Sequence, residues 1–85
     1  PIIELNRAIA VGMAEGAAAG LALLDAIAAH PALKSYHLLP SVRGDFLAKL
    51  ERHAEARVEF LRAASLVANE RERNFLLKRA SSTGA

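Results

Sequence analysis

Apolar residues recur along this chain three and four positions apart, the spacing that gathers side chains on one face of an α-helix. The pattern is clearest from Leu50 to Ala68, where the small–large–small series Ala56, Phe60, Ala63 would let a neighbouring helix approach closely. The same series occurs earlier as Ala19, Leu23, Ala26. Each copy is followed five residues after its last alanine by a helix-ending position, Pro31 in one and Ala68 in the other. Ala19 and Ala56 are 37 residues apart, within the span of about 20 to 50 residues typical of helical repeats, so two antiparallel helices per repeat form the expected unit.

Taken in order, the pattern predicts five helices. The first runs from about Ile2 to Met13, with Leu5, Ile9 and Gly12 or Met13 on its packed face. Gly16 closes it, because glycine takes the positive φ that ends helices without steric cost. The second, about Ala17 to His30, carries a single charge, Asp25. It is apolar nearly all round and therefore reads as the central helix. A carboxylate on such a helix needs a partner, for which Arg43, Arg7 or a backbone amide are the candidates. Pro31 stops that helix, and Ala32 to Tyr36 forms the connection. The third begins near His37 or Leu38 with Pro40 in its first turn, where a missing N–H costs nothing, and continues to Leu50. Its buried stripe is Leu39, Phe46, Leu47 and Leu50, and Gly44 marks a close helix approach. The fourth, about Ala54 to Val67, buries its small–large–small face and leaves Glu55, Arg57, Glu59 and Arg62 in water. Asn69 and Glu72 form a helix cap, and a fifth helix runs from Glu70 to about Ala80, with Phe75, and with it Leu76 and Leu77, against the preceding pair and Arg71, Arg73, Lys78 and Arg79 facing water. The expected core comprises Leu23, Ala26, Leu47, Leu50, Ala56, Phe60 and Ala63. Residues 1–80 form the domain and 81–85 a disordered tail.

Composition narrows the chemistry. Alanine and leucine dominate the 85 residues, which suits an all-α fold of two antiparallel helix pairs and a C-terminal capping helix. With no cysteine, disulfides and thiolate metal sites are excluded, and a cytoplasmic location is the expectation. Asp25 interrupts the most apolar stretch, so no run approaches the ~18 residues of a membrane span. The net charge of +2 comes from interleaved signs and forms no basic stripe for a phosphate backbone. A domain this small buries a modest core. That size, Pro1 at the start and a helix already under way at Ile2 suit a segment of a longer chain.

Enzymatic chemistry finds no footing. His30, His37 and His53 stand in no zinc-binding spacing and read as helix-end and loop residues. Ser35, Tyr36 and His37 are adjacent, so they do not present their side chains to one another as nucleophile and base, and no oxyanion donor accompanies them. No catalytic residue, cofactor or metal is expected.

The series Gly44, Ala56, Phe60, Ala63 with Asn69 after the stop resembles a tetratricopeptide repeat, and Ala19, Leu23, Ala26, Pro31 resembles a second copy. The chain departs from that pattern in lacking the early large aromatic of each repeat, in having Glu51 and Arg52 where a turn glycine is usual, and in placing Ala68 where a proline closes the repeat. The phrases LNRAIAVGMAEG, AGLALLDAI, YHLLPSVRGDFLAKLERHAEARVEFLRAASL and NERERNFLLKR resemble, in that order, the C-terminal region of bacterial sigma factors of the extracytoplasmic-function type that carry a tetratricopeptide-like extension. The resemblance implies an α-α superhelix acting as an accessory domain in transcription regulation. It also implies that RNA polymerase and promoter DNA are engaged by domains upstream of this segment. Carrying the repeat pattern over places Arg7, Ala10, Ser41, Asp45 and Lys49 on an inner groove for a protein partner or another domain of the same protein. The plainer reading of these five is a solvated face, and the plainer reading of the domain is a structural cap or a tetratricopeptide scaffold unrelated to transcription. The many apolar residues of the first helix further suggest a homodimer of the segment formed through that helix.

Overall fold

A computed structural model describes residues 2–83. It contains α1 (Ile2–Glu15), α2 (Ala17–Ile27), a short 3-10 turn (Pro31–Leu33), α3 (Leu38–Lys49), α4 (His53–Leu66) and α5 (Glu70–Ser82), and no strand among the described residues. Each helix packs chiefly on its neighbours in sequence, with a smaller contact between α1 and α3. The Cα radius of gyration is 12.0 Å, near the ~12 Å of a compact chain of this length.

Local chemistry explains where the helices stop. Gly16, at φ 110°, turns α1 into α2. The turn from α3 to α4 uses a non-glycine residue, Glu51, at φ 60°. There Glu51 N–H donates to Ala48 O at 3.0 Å and Arg52 N–H to Leu47 O at 2.9 Å, the paired bonds that close a helix around a left-handed residue. His30 Nδ1 accepts from Ala32 N–H at 3.1 Å and starts the 3-10 turn, whose Leu33 is buried. Asn69 Oδ1 accepts from Glu72 N–H at 3.1 Å, the anticipated cap. α2 ends at Ile27 rather than His30, and α5 extends to Ser82, so Ser81 and Ser82 are helical rather than part of a tail. Residues 1, 84 and 85 lie outside the described residues.

The core confirms much of the expected packing and corrects the rest. Leu39, Phe46, Leu47, Ala56, Phe60 and Ala63 are buried as anticipated, as is Leu5 on the packed face of α1, and Ala8 and Leu24 join them. Leu23, Ala26 and Leu50 are instead exposed. On α2 the buried residues are Gly20, Leu21 and Leu24, one position along from the expected series. The helix pairs are spaced 36 residues apart rather than 37: α1 and α3 begin 36 apart, as do α2 and α4. Ala8, Gly20, Leu24 and Ile27 then correspond to Gly44, Ala56, Phe60 and Ala63. One residue is 100° around a helix. On a helix apolar on nearly all sides, hydrophobicity could not choose between the two registers.

Close approach selects the true one. A Cβ on Gly20 would lie 2.6 Å from Gly12 Cα and 2.6 Å from Phe46 Cε2, and one on Gly12 would lie 2.2 Å from Phe46 Cζ. Phe46 thus rests in a saddle made by two glycines of the α1–α2 hairpin. Gly44 plays the same part for Phe60. The central position belongs to α3, which packs on α2 and α4, whereas the outer side of α2 meets water at Ala22, Leu23 and Ala26.

Charge placement follows the same correction. Asp25 does pair with Arg43, Nε to Oδ1 at 2.8 Å, but its side chain is 51% exposed, so it is not a buried carboxylate. The buried one is Glu59, expected in water yet 8% exposed, which accepts from the same guanidinium at 2.6 Å. Arg43 bridges α2 and α4. Burial alone would depress its pKa, but the bond to Asp25 and the charges of Asp25 and Glu59 outweigh burial and hold it above the ordinary arginine value. Phe75 and Leu77 are exposed, whereas Leu76 is buried as expected and shares the packing of α5 with Ala80; Arg79, expected in water, bonds Asp45.

Candidate functional site

Ser41, Asp45 and Lys49 follow one another at intervals of four along α3 and so share a face of that helix. α5 lies across much of it. Arg79 of α5 donates to Asp45 Oδ1 at 2.5 Å, and its guanidinium carbon stands 4.7 Å from the centroid of Phe60 and 6.0 Å from that of Phe75. Asp45 is therefore tied to the capping helix through a charge-assisted bond. The same guanidinium covers a core ring, where a cation gains from the negative face of the π system.

Ser41 lines a hollow of about 180 Å³ between α3 and α5, together with His37, Leu38, Glu72, Phe75 and Leu76. Its floor is apolar. His37 Nε2 and Glu72 Oε2 stand 3.9 Å apart at its rim, an ion pair only when the histidine is protonated. Phe75 is 59% exposed, a large ring presented to solvent beside an apolar depression. Lys49 is exposed at the far end of α3, and Arg7 and Ala10 are exposed on α1. Of the five expected groove residues, Ser41 and Asp45 thus share a surface with α5, and the other three face water.

Sequence reasoning overlooked Phe75, Leu38 and Glu72 as hollow-lining residues, and Arg79 as the partner of Asp45. The Asp45–Arg79 bond spans 34 residues, so no local spacing announces it. Phe75 carried a misleading signal, because an aromatic residue on an amphipathic helix ordinarily belongs to the core.

Among the described residues the three histidines stand apart, each at the start of an element. His30 caps the 3-10 turn, His37 precedes α3 and His53 opens α4. Among the described residues no three metal-ligating side chains cluster, and no helix is long and apolar enough to cross a membrane. The arrangement offers a surface for recognition: an apolar hollow, an exposed aromatic ring and flanking charges of both signs.

Comparison with known proteins adds a relative but no function. No family model matches the chain, and no solved structure matches it. Over 76 residues it is 37% identical to a Rhizobium meliloti (strain 1021) protein described as uncharacterized, a match covering 89% of this chain and 18% of that protein. The chain therefore spans less than a fifth of the length of the curated relative it matches.

Proposed function

We propose that this segment is a C-terminal accessory domain of a bacterial extracytoplasmic-function-type sigma factor, with a tetratricopeptide-like fold, working in the cytoplasm in transcription regulation through protein–protein contact. The reading rests on the ordered phrases that resemble that family. One structural observation supports it: the 36-residue repeat of helical hairpins, close to the 34 of a tetratricopeptide repeat, with small residues meeting large ones where such hairpins stack. The partner is a protein or another domain of the same polypeptide, received on the face of α3 and α5. Polymerase and promoter contacts belong to domains beyond this segment.

A transcription experiment tests the reading. The Rhizobium meliloti relative, full length and with its matching region deleted, is assayed for binding to core RNA polymerase and for promoter-specific transcription. Full-length protein is expected to bind polymerase, and the deletion to change transcript yield while polymerase binding persists. Failure of the full-length protein to bind polymerase overturns the assignment.

A second reading, the structural cap, is favoured by the way α5 already covers Asp45 and borders Ser41. Lys49 separates the two readings better than Asp45, whose replacement also breaks the bond to Arg79. Charge reversal at Lys49 should impair partner binding by a recognition module and leave a pure cap unaffected.

A further inference from the structure

We propose that the outward face of α1, carried by Ile3, Arg7 and Ala10, is the docking surface for a further helical hairpin of the same repeat, placed ahead of α1 in the same polypeptide. The inference comes from the 36-residue correspondence and does not depend on the sigma-factor reading. Ile3, Arg7 and Ala10 of α1 correspond to Leu39, Arg43 and Phe46 of α3. In α3 two of these three bind the hairpin before it. Phe46 fills the saddle of Gly12 and Gly20, and Arg43 donates to Asp25 from 18 residues further along the chain. Leu39 is wholly buried beside them.

In α1 the same three positions are bare. Ile3 is 82% exposed, Arg7 and Ala10 face water, and Met13, 76% exposed, widens the apolar area. The opposite end of the array is different, because α5 packs on α4 and turns mainly charged residues outward, Glu70, Arg71, Arg73 and Lys78, with Phe75 and Leu77 among them. A mainly charged helix at one end and a mainly apolar face at the other suit an array capped on one side.

That asymmetry also selects the occupant. Head-to-tail stacking of a second copy is blocked by α5, which occupies the α3–α4 surface that such a copy would use. A symmetric dimer through α1 has too little to bury: a helix of 14 residues is about 21 Å long and offers roughly 200 Å² per partner, against about 800 Å² in a stable interface. A hairpin that repeats the α2–α3 contact needs two features. One is a carboxylate placed to meet Arg7 as Asp25 meets Arg43. The other is a bulkier side chain than glycine at the saddle, since Ala10 is much smaller than Phe46.

A tandem chain provides the test. Residues 2–37 are duplicated directly ahead of Ile2, which keeps the 36-residue spacing and sets the copied Asp25 18 residues before Arg7. The tandem chain is expected to melt in one transition above that of the original. Ala10→Phe, which fills the copied glycine saddle, should raise the tandem midpoint and leave the original unchanged, and Arg7→Glu should lower the tandem midpoint alone. An added hairpin that melts separately or stays unfolded overturns the proposal, as do equal effects of these substitutions in both chains. Sedimentation of the original chain is expected to give a monomer. A dimer that Ile3→Glu dissociates would instead assign the face to a second copy.

Discussion

Gly44 and Phe60 meet so closely that the glycine cannot be replaced without displacing the ring: a Cβ at position 44 would lie 2.8 Å from Phe60 Cε1 and 2.9 Å from Cδ1. The ring has little room to yield, being 1% exposed and overlain by Arg79. Gly44→Ala gains helix propensity of about 0.5–1 kcal/mol but overpacks the core at a cost of about 1–3 kcal/mol. The net expectation is a loss of about 1 kcal/mol in urea unfolding. In a Phe60→Leu background the same substitution should cost less, and equal losses in the two backgrounds would disprove the contact.

The two carboxylates on Arg43 should differ sharply in weight. Glu59→Ala leaves a part-buried guanidinium with only its half-exposed partner Asp25, a loss of about 1–3 kcal/mol. Glu59 Oε2 is itself buried without a partner, so part of that loss is offset by removing an unsatisfied oxygen. Asp25→Ala breaks a bond at a half-exposed side chain and should cost about 1 kcal/mol or less. Thermal or chemical unfolding of the two variants checks the order, and a larger effect at Asp25 would contradict the burial pattern.

Glu51 holds a left-handed backbone conformation that glycine adopts freely. Glu51→Gly should therefore stabilise the chain by about 0.5–1 kcal/mol, since strain at a positive φ outweighs the extra freedom of the unfolded state. The measurement is the shift in urea midpoint at constant slope.

Glu55 lies below its ordinary carboxylate value, chiefly because Arg52 donates to both of its oxygens, at 2.9 and 2.7 Å. A folded-state value below the unfolded one means that the pair favours folding above the usual glutamate range. That contribution disappears as pH falls through the folded-state value. Arg52→Ala should move the Glu55 titration upward in an NMR pH series, and an unmoved titration would show that the bond does not persist in solution.

What the sequence determined by itself is that there are five helices and where they begin. Gly16, Pro40 and the Asn69 cap act within one or two turns of chain, through backbone sterics and hydrogen bonds that need no distant partner. The Ala56, Phe60, Ala63 face was equally legible, because charges on the remaining sides of α4 leave its apolar side unambiguous. Tertiary structure decided the rest. α2 is apolar nearly all round, so the side it buries depends on where Phe46 finds the Gly12–Gly20 saddle, and the reading from spacing alone was rotated by one residue. Glu59 was misplaced for a related reason: a charged residue between solvated arginines reads as surface until Arg43 arrives from another helix to neutralise it. The candidate recognition face was legible only in part. Ser41, Asp45 and Lys49 share a side of α3 by spacing, whereas Phe75, Glu72 and Arg79 join that side only through packing across some thirty residues of chain, which no periodicity encodes.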